Sequence, residues 1–374
     1  MIMRKIYFNL LCFLFLSCQE QDKRMQPLRS ISFETSGDVY QEGFSDAKDP
    51  FLFFTTSNDN MLYKYYLGKD VKETIDLKKD MNIGILGRYY VIFNKENYIL
   101  NYNAVKIYNS ATKVIYNLDS LTNHNGMEYS TVYNNNNSWK KNKVLLTNLF
   151  TCDLYGKESN DVMKTFITCE QLNKKKPSYS IFDFETNKVE LSSITFKDVK
   201  PDTKDNTAEP WYKASTLFVG DVILYNNHFT DGVFEIDKSG KFNKAFTIKS
   251  KYTNFSSVEL FKNDDIKTVF EKASNYITQV NGILYDEYRN KILVILVHGT
   301  QDIEKNGELK LSNRPFSILV YNKDYKLENE YLFDSLKHDF NNIYVCKEGL
   351  IINANNSLGN NYKPEKLIYE IFSY

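Results

Sequence analysis

Past residue 28 the apolar positions fall in short runs of five to nine residues, rich in Ile, Val, Tyr and Phe and bounded by clusters of Asn, Asp, Gly, Lys or Ser. Runs of that length and composition predict β-strands separated by turns. The clearest cover residues 51–55, 61–67, 89–93, 143–150, 222–225, 292–297, 318–321 and 350–353. Several do not alternate. ILVILV at 292–297 is apolar at every position, so it must be covered on both faces, which disfavours a single sheet with one wet side.

One unit recurs: an aromatic strand, a polar turn, then a strand with alternate apolar positions. It appears as IYNSATKVIYNL (107–118), IFDFETNKVELSSI (181–194), VFEIDKSGKFNKAFTI (233–248) and LVYNKDYKLENEYLF (319–333), with YKYYLGKDVKETIDL (64–77) as a looser copy. Each hairpin follows one or two further strand segments, which makes units of about four antiparallel strands and roughly 50 to 60 residues. The expected fold is therefore all-β: a six-bladed β-propeller of four-stranded antiparallel blades. Its last segment supplies only three strands, and RSISFE at 29–34 can add the fourth and close the ring. A pair of β-sandwiches is the competing architecture. The repeated hairpin and the two-sided strands favour the ring. A short helical insertion is expected at 265–274, where Ile266, Val269, Phe270 and Ala273 recur at helical spacing behind Asn263 and Asp264. Polar stretches at 198–210 and 134–137 read as surface loops.

The amino terminus is different in kind. Arg4 and Lys5 precede an apolar stretch at 6–16 and a small residue, Ser17, before Cys18, the layout of a secretory signal. The stretch is too short to cross a bilayer as a helix, which takes about 20 residues. Leu16, Ser17 and Cys18 resemble a bacterial lipobox, which makes Cys18 the expected lipidation site and an acyl anchor the expected membrane attachment. The chain then divides into a signal (1–17), a polar tether (18–28) and one propeller domain (29–374). Glu20 and Asp22 weakly resemble the acidic surface-export signal of Bacteroides-group lipoproteins. The expected location is the cell envelope, as an outer-membrane lipoprotein facing the periplasm or the surface.

Composition narrows the partners. Lys plus Arg and Asp plus Glu are 47 each, a formal charge of zero that provides no field to gather a polyanion, so nucleic acid is not an expected partner. Tyr (28) and Phe (26) suit strands, whereas only 15 Gly leave the turns to other residues. Of the cysteines beyond Cys18, Cys152 and Cys169 lie in strand-like segments that can pair if neighbours. The alternative is three small buried hydrophobes with Cys346.

The segment 282–355 is similar to six-bladed propeller lipoproteins of unknown function from the Bacteroides group. The likeness rests on GILYDEYRNKILVILVHG, RPFSILVYNKDYKLENEYLF and IYVCKEGLIINAN, with Tyr285, Asp286, Arg289, Gly349 and Leu350 as its marks. It implies fold and envelope location, and it brings no catalytic residues.

No metal or nucleotide motif is present, and neither metal nor cofactor is expected. His124, His228, His298 and His338 stand alone in sequence. His228 and His298 each follow an inner-type strand and can approach one mouth of the ring. Arg314 begins a strand and can point into the channel. Trp139 and Trp211 fall in polar loops, and Trp211 with Tyr212 makes a platform on which a sugar ring can stack. For each of these, ordinary packing or hydrogen bonding is the competing role. The expected function is a non-catalytic, monomeric envelope module that binds a protein, peptide or glycan through residues such as Trp211, Tyr212, Arg314, His228 and His298. The alternative is an envelope hydrolase or lyase at the channel mouth. Two or more carboxylates or histidines converging there with raised pKa values would favour catalysis.

Overall fold

The computed structural model describes residues 25–374 except 36, 38, 47–48, 57–60, 70–71, 77–78, 80–90, 95–96, 103, 110–114, 118–127, 131–138, 141, 150–174, 196–197, 199–213, 229, 253–277 and 300–313. The proposed helix at 265–274, Cys18, His124, Cys152, Cys169, Trp211 and Tyr212 lie outside the described residues.

Among the described residues, every element of two or more residues is a strand in an antiparallel sheet. After β1 (Pro27–Glu34) comes a first blade of β2 (Val39–Ser45), β3 (Phe51–Thr56), β4 (Met61–Tyr66) and β5 (Lys72–Asp76). A second holds β6 (Val91–Asn94), β7 (Asn97–Tyr102), β8 (Ala104–Asn109) and β9 (Ile115–Asn117). The next sheet has β10 (Glu128–Ser130), β11 (Trp139–Lys140), β12 (Lys143–Leu149), β13 (Tyr179–Asp183) and β14 (Lys188–Leu191). Two regular blades follow: β15 (Ala214–Val219), β16 (Val222–Asn227), β17 (Gly232–Ile236) and β18 (Phe242–Thr247), then β19 (Gln279–Asp286), β20 (Lys291–Val297), β21 (Phe316–Asn322) and β22 (Leu327–Phe333). The closing blade takes β23 (Ile343–Cys346), β24 (Gly349–Asn353) and β25 (Lys366–Phe372), and β1 pairs with the free edge of β25 from Pro27 opposite Phe372 to Glu34 opposite Lys366.

The fold is a β-propeller of four-stranded antiparallel blades. The expectation of six such blades needs correction: the four-stranded blades among the described residues number five. The β10–β14 sheet has five strands because two short ones share one edge of β12. β10 pairs with Thr147 to Leu149 and β11 with Lys143 and Val144. Trp139, read as a loop residue, opens β11 opposite Val144.

The two-sided strands explain the stacking. In β20, Ile292, Val294 and Leu296 join a core with Leu217, Leu224 and Val233 of the preceding blade. Leu293, Ile295 and Val297 point the other way, into a core with Ile343, Leu350 and Ile352 of the closing blade. Fully burying one such side chain is worth about 1.5 to 3 kcal/mol, so each position from Ile292 to Val297 stabilises a blade interface. Tyr369 and Ile371 of β25 likewise face Phe44, Leu52 and Phe54 of the first blade.

Hairpin turns are made without many glycines, as the composition requires. Asn187, Asn290 and Tyr325 take positive φ of 53°, 54° and 60°. Asp183, Asp237, Asp286 and Asn322 each use a side-chain oxygen to accept backbone N–H groups from the two to four residues that follow. These Asx turns let a short polar side chain replace glycine's conformational freedom.

Candidate functional site

The two ends of the propeller differ in how the chain crosses them. At one end the strands are separated by only two to five residues, for example 220–221, 287–290 and 347–348. At the other, connections run to 29 residues (150–178), 22 (192–213), 31 (248–278), 18 (298–315) and 12 (354–365). Loops carried by a rigid scaffold are where binding and catalysis concentrate, so the loop end is the candidate functional face.

Three of the residues singled out from sequence meet there. Val280, at the start of the inner strand β19, donates its N–H to the carbonyl of His228 at 2.7 Å. Its neighbour Gln279 pairs with Val297, next to His298. Arg314 Nε donates to the carbonyl of His298 at 3.0 Å, and Gly299 N donates to Thr278 Oγ1 at 3.1 Å. His228, His298 and Arg314 therefore surround the first residues of one inner strand. Their side chains face inward: exposures are 2%, 4% and 3%, which makes them part of the wall and not a free lining.

Each of the two histidines is joined to a serine. His298 Nε2 lies 2.5 Å from Ser317 Oγ, and His228 Nε2 lies 3.2 Å from Ser215 Oγ. The His298–Ser317 pair lacks the layout of a hydrolytic dyad. Ser317 is wholly buried, and among the described residues His298 Nδ1 has no hydrogen-bond partner, so none of their carboxylates orients the ring. Burial, reinforced by the Arg314 charge, pushes the His298 pKa down to about 4, and it stays neutral. Burial also brings Arg314 down to about 10.

A second cluster, which the sequence reading missed, lies one interface further round. Asn281 of β19 donates through Nδ2 to the carbonyl of Phe340 at 2.8 Å, in the connection 334–342. The adjacent Asp339 donates its N–H to the carbonyl of Asn353 at 2.9 Å and accepts from Asn341 and Asn342. Asn353 Nδ2 then donates to Glu42 Oε1 at 2.7 Å, and the Tyr369 hydroxyl donates to the other carboxylate oxygen. Glu42 stands on the inner strand β2, two residues before Phe44, so it occupies a polar place on the face that packs the closing blade. It is hemmed in by protein yet partly exposed.

Burial pushes Glu42 up to about 8, with the nearby Asp339 adding to the rise against the hydrogen bonds of Tyr369 and Asn353. Burial also raises Asp339, against its hydrogen bonds from Asn341 and Asn342. Glu42 is thus a neutral acid at pH 7. In the unfolded chain it ionises near its ordinary value, so the native state holds one more proton between about pH 4.5 and pH 8. Its contribution to stability is complete below that window. It falls as pH rises through it, by at most ~1.4 kcal/mol per pH unit. Glu42→Gln should flatten this dependence, seen as urea midpoints that no longer fall between about pH 5 and pH 8 on account of this group.

Among the described residues no group of three or more His, Cys, Asp or Glu side chains can hold a metal ion. No helix there is long and apolar enough to cross a membrane.

The chain matches no protein-family model and no curated protein sequence. Solved structures do resemble it. A member of the DUF4221 family from Bacteroides vulgatus superposes with a TM-score of 0.71 at 16% identity, over 95% of this chain and 99% of that one. At that identity the likeness is one of fold. Virginiamycin B lyase from Staphylococcus aureus is far more distant, with a TM-score of 0.40 at 11% identity over 92% of this chain and 99% of the lyase.

Proposed function

We propose that this protein is a cell-envelope lipoprotein, anchored through Cys18, whose propeller is a non-catalytic module that holds a protein, peptide or glycan at the loop end. In this reading the β10–β14 sheet counts as a sixth blade whose inner strand is broken into β10 and β11. The observation that carries the binding role is the gathering of every long connection at one end of a rigid ring. The buried His–Ser pairs support it, since neither presents a nucleophile to solvent. Trp211 and Tyr212 fall in sequence between β14 and β15, and the pair would serve as a stacking platform for a sugar.

One observation favours a second reading, an envelope hydrolase or lyase. Glu42 and Asp339 are two carboxylates near the inner strands with raised pKa values, and Glu42 is protonated as a general acid would be. Against this, Asp339 is held by Asn341 and Asn342 as a loop brace and has no evident role as a base.

The test is to incubate the purified protein with host and bacterial glycans and peptides and score both retention and turnover. Retention without turnover, weakened by Trp211→Ala and unchanged by Glu42→Gln, is the expected result. Turnover that disappears in Glu42→Gln would replace the binding module by the enzyme.

A further inference from the structure

We infer that the propeller is held with its short-turn end toward the membrane, so that the loop end faces away from the lipid and takes its ligand from the aqueous side. The inference rests on the anchoring of Cys18 proposed above.

The register of one strand pair carries it. β24 leaves the turn 347–348 and ends at Asn353 on the loop end, and β25 returns to finish at Phe372 on the turn end. β1 is antiparallel to β25 with Pro27 opposite Phe372, so the chain enters the propeller at the turn end and reaches the loop end only at Glu34. Side chains fix both ends of this pairing. Arg29 Nη2 pairs with Glu348 of the turn 347–348 at 2.5 Å, while Lys366 pairs with Glu34 at 2.7 Å beside the connection 354–365. Met25 packs against the same core as Tyr374, just beyond the end of β25. The described chain therefore begins at the rim of the turn end.

Length decides which face can meet the lipid. Seven residue steps separate Cys18 from Met25, and a chain of that length spans about 25 Å at most. The body is about 23 Å deep along a seven-residue strand, and the long connections add to that depth at the loop end. To lay the loop end on the bilayer, a fully drawn tether would have to run up the whole side of the propeller. The reverse orientation requires no stretching. Leu28, exposed at 59%, lies at the same rim.

The orientation can be read in vesicles carrying the acylated full chain and an acceptor dye on the lipid headgroups. A clickable amino acid replaces either Lys347, in the turn 347–348, or Leu358, in the connection 354–365, and carries the donor dye. Both sites are exposed and both lie in the closing blade. Energy transfer should be stronger from position 347 than from 358. An insertion of about 20 Gly and Ser residues between Gln21 and Asp22 roughly doubles the coil's mean reach and should shrink that difference. Equal transfer, or stronger transfer from 358, in the protein with its own tether would overturn the orientation. Palmitate labelling separates the two ideas. Acylation lost in Cys18→Ser, with equal transfer from the two sites, rejects the orientation alone. A wild-type chain that takes up no palmitate rejects the anchor and the orientation with it.

Discussion

Gly349→Ala should cost ~4 kcal/mol or more and be the most damaging single methyl group added to this chain. Gly349 opens β24 with φ at 149°, a conformation that L side chains rarely adopt, and a Cβ there would sit 1.8 Å from the carbonyl oxygen of Phe372. That oxygen is backbone, so no side-chain rotation can make room. The methyl group must push β24 away from β25 where Leu350 pairs with Phe372, beside the core shared with Leu293 and Ile318. With an unfolding entropy of about 2.1 cal/mol/K per residue, a chain of 374 residues should lose roughly 5 °C in melting temperature. Gly68→Ala, where a Cβ meets nothing within 4 Å, is the control and should leave the melt nearly unchanged. A Gly349→Ala protein that melts with the wild type would show that the closing blade is built differently.

Asp286→Ala should cost about 3 kcal/mol by leaving a guanidinium and a phenol without their acceptor. Asp286 is fully buried at the end of β19. It accepts the N–H groups of Tyr288 and Arg289, pairs with Arg289 Nη1 at 2.7 Å and accepts the hydroxyl of Tyr374. Arg289 in turn donates to the carbonyls of Cys346 and Lys347, at 3.3 and 2.8 Å, and lies 5.2 Å from the centre of the Tyr374 ring. One carboxylate thus braces its own hairpin and, through Arg289, the turn that precedes Gly349. The guanidinium is partly exposed, and water can recover some of the loss, which places the cost at the lower end for a broken buried pair. Removing both partners in Asp286→Ala with Arg289→Met should cost less than the sum of the single changes. Strictly additive losses would mean that the pair is not a unit.

Much of this junction was legible in the chain itself. Of the marks of a likeness, Asp286, Arg289, Gly349 and Leu350 prove to meet at one blade interface at the turn end, whereas Tyr285 packs on the other face, against the preceding blade. The hairpins were legible for a local reason. The third and fourth strands of a blade lie next to each other in sequence, and their turns are spelled by Asp, Asn and Gly at fixed offsets. ILVILV could be assigned to a two-sided interface because no one-sided sheet tolerates six successive apolar residues. The β10–β14 sheet departed from the pattern because residues 131–138, which include the asparagine run at 134–137, fall between two strands that share one edge.

The polar cluster at the loop end left no such trace. Glu42 and Tyr369 are 327 positions apart, and Asn281 meets Phe340 across 59. These contacts exist only because blades stack and the ring closes. The one available signal was Glu42 itself, an acid two residues before Phe44 on an otherwise apolar interface strand. His228 and His298, read as following inner-type strands, instead follow β16 and β20, the second strands of their blades, and they come together with Arg314 at the start of β19. Their burial could not be read from sequence, since it depends on the neighbouring strands.

The most direct test of the central claim, that the amino-terminal strand completes the last blade, is hydrogen exchange of backbone amides in the intact protein. Amides of 29–34 and of 366–372 should exchange slowly and with similar protection, because one ladder opens as one unit. Rapid, coil-like exchange across 29–34 while 366–372 remains protected would contradict it.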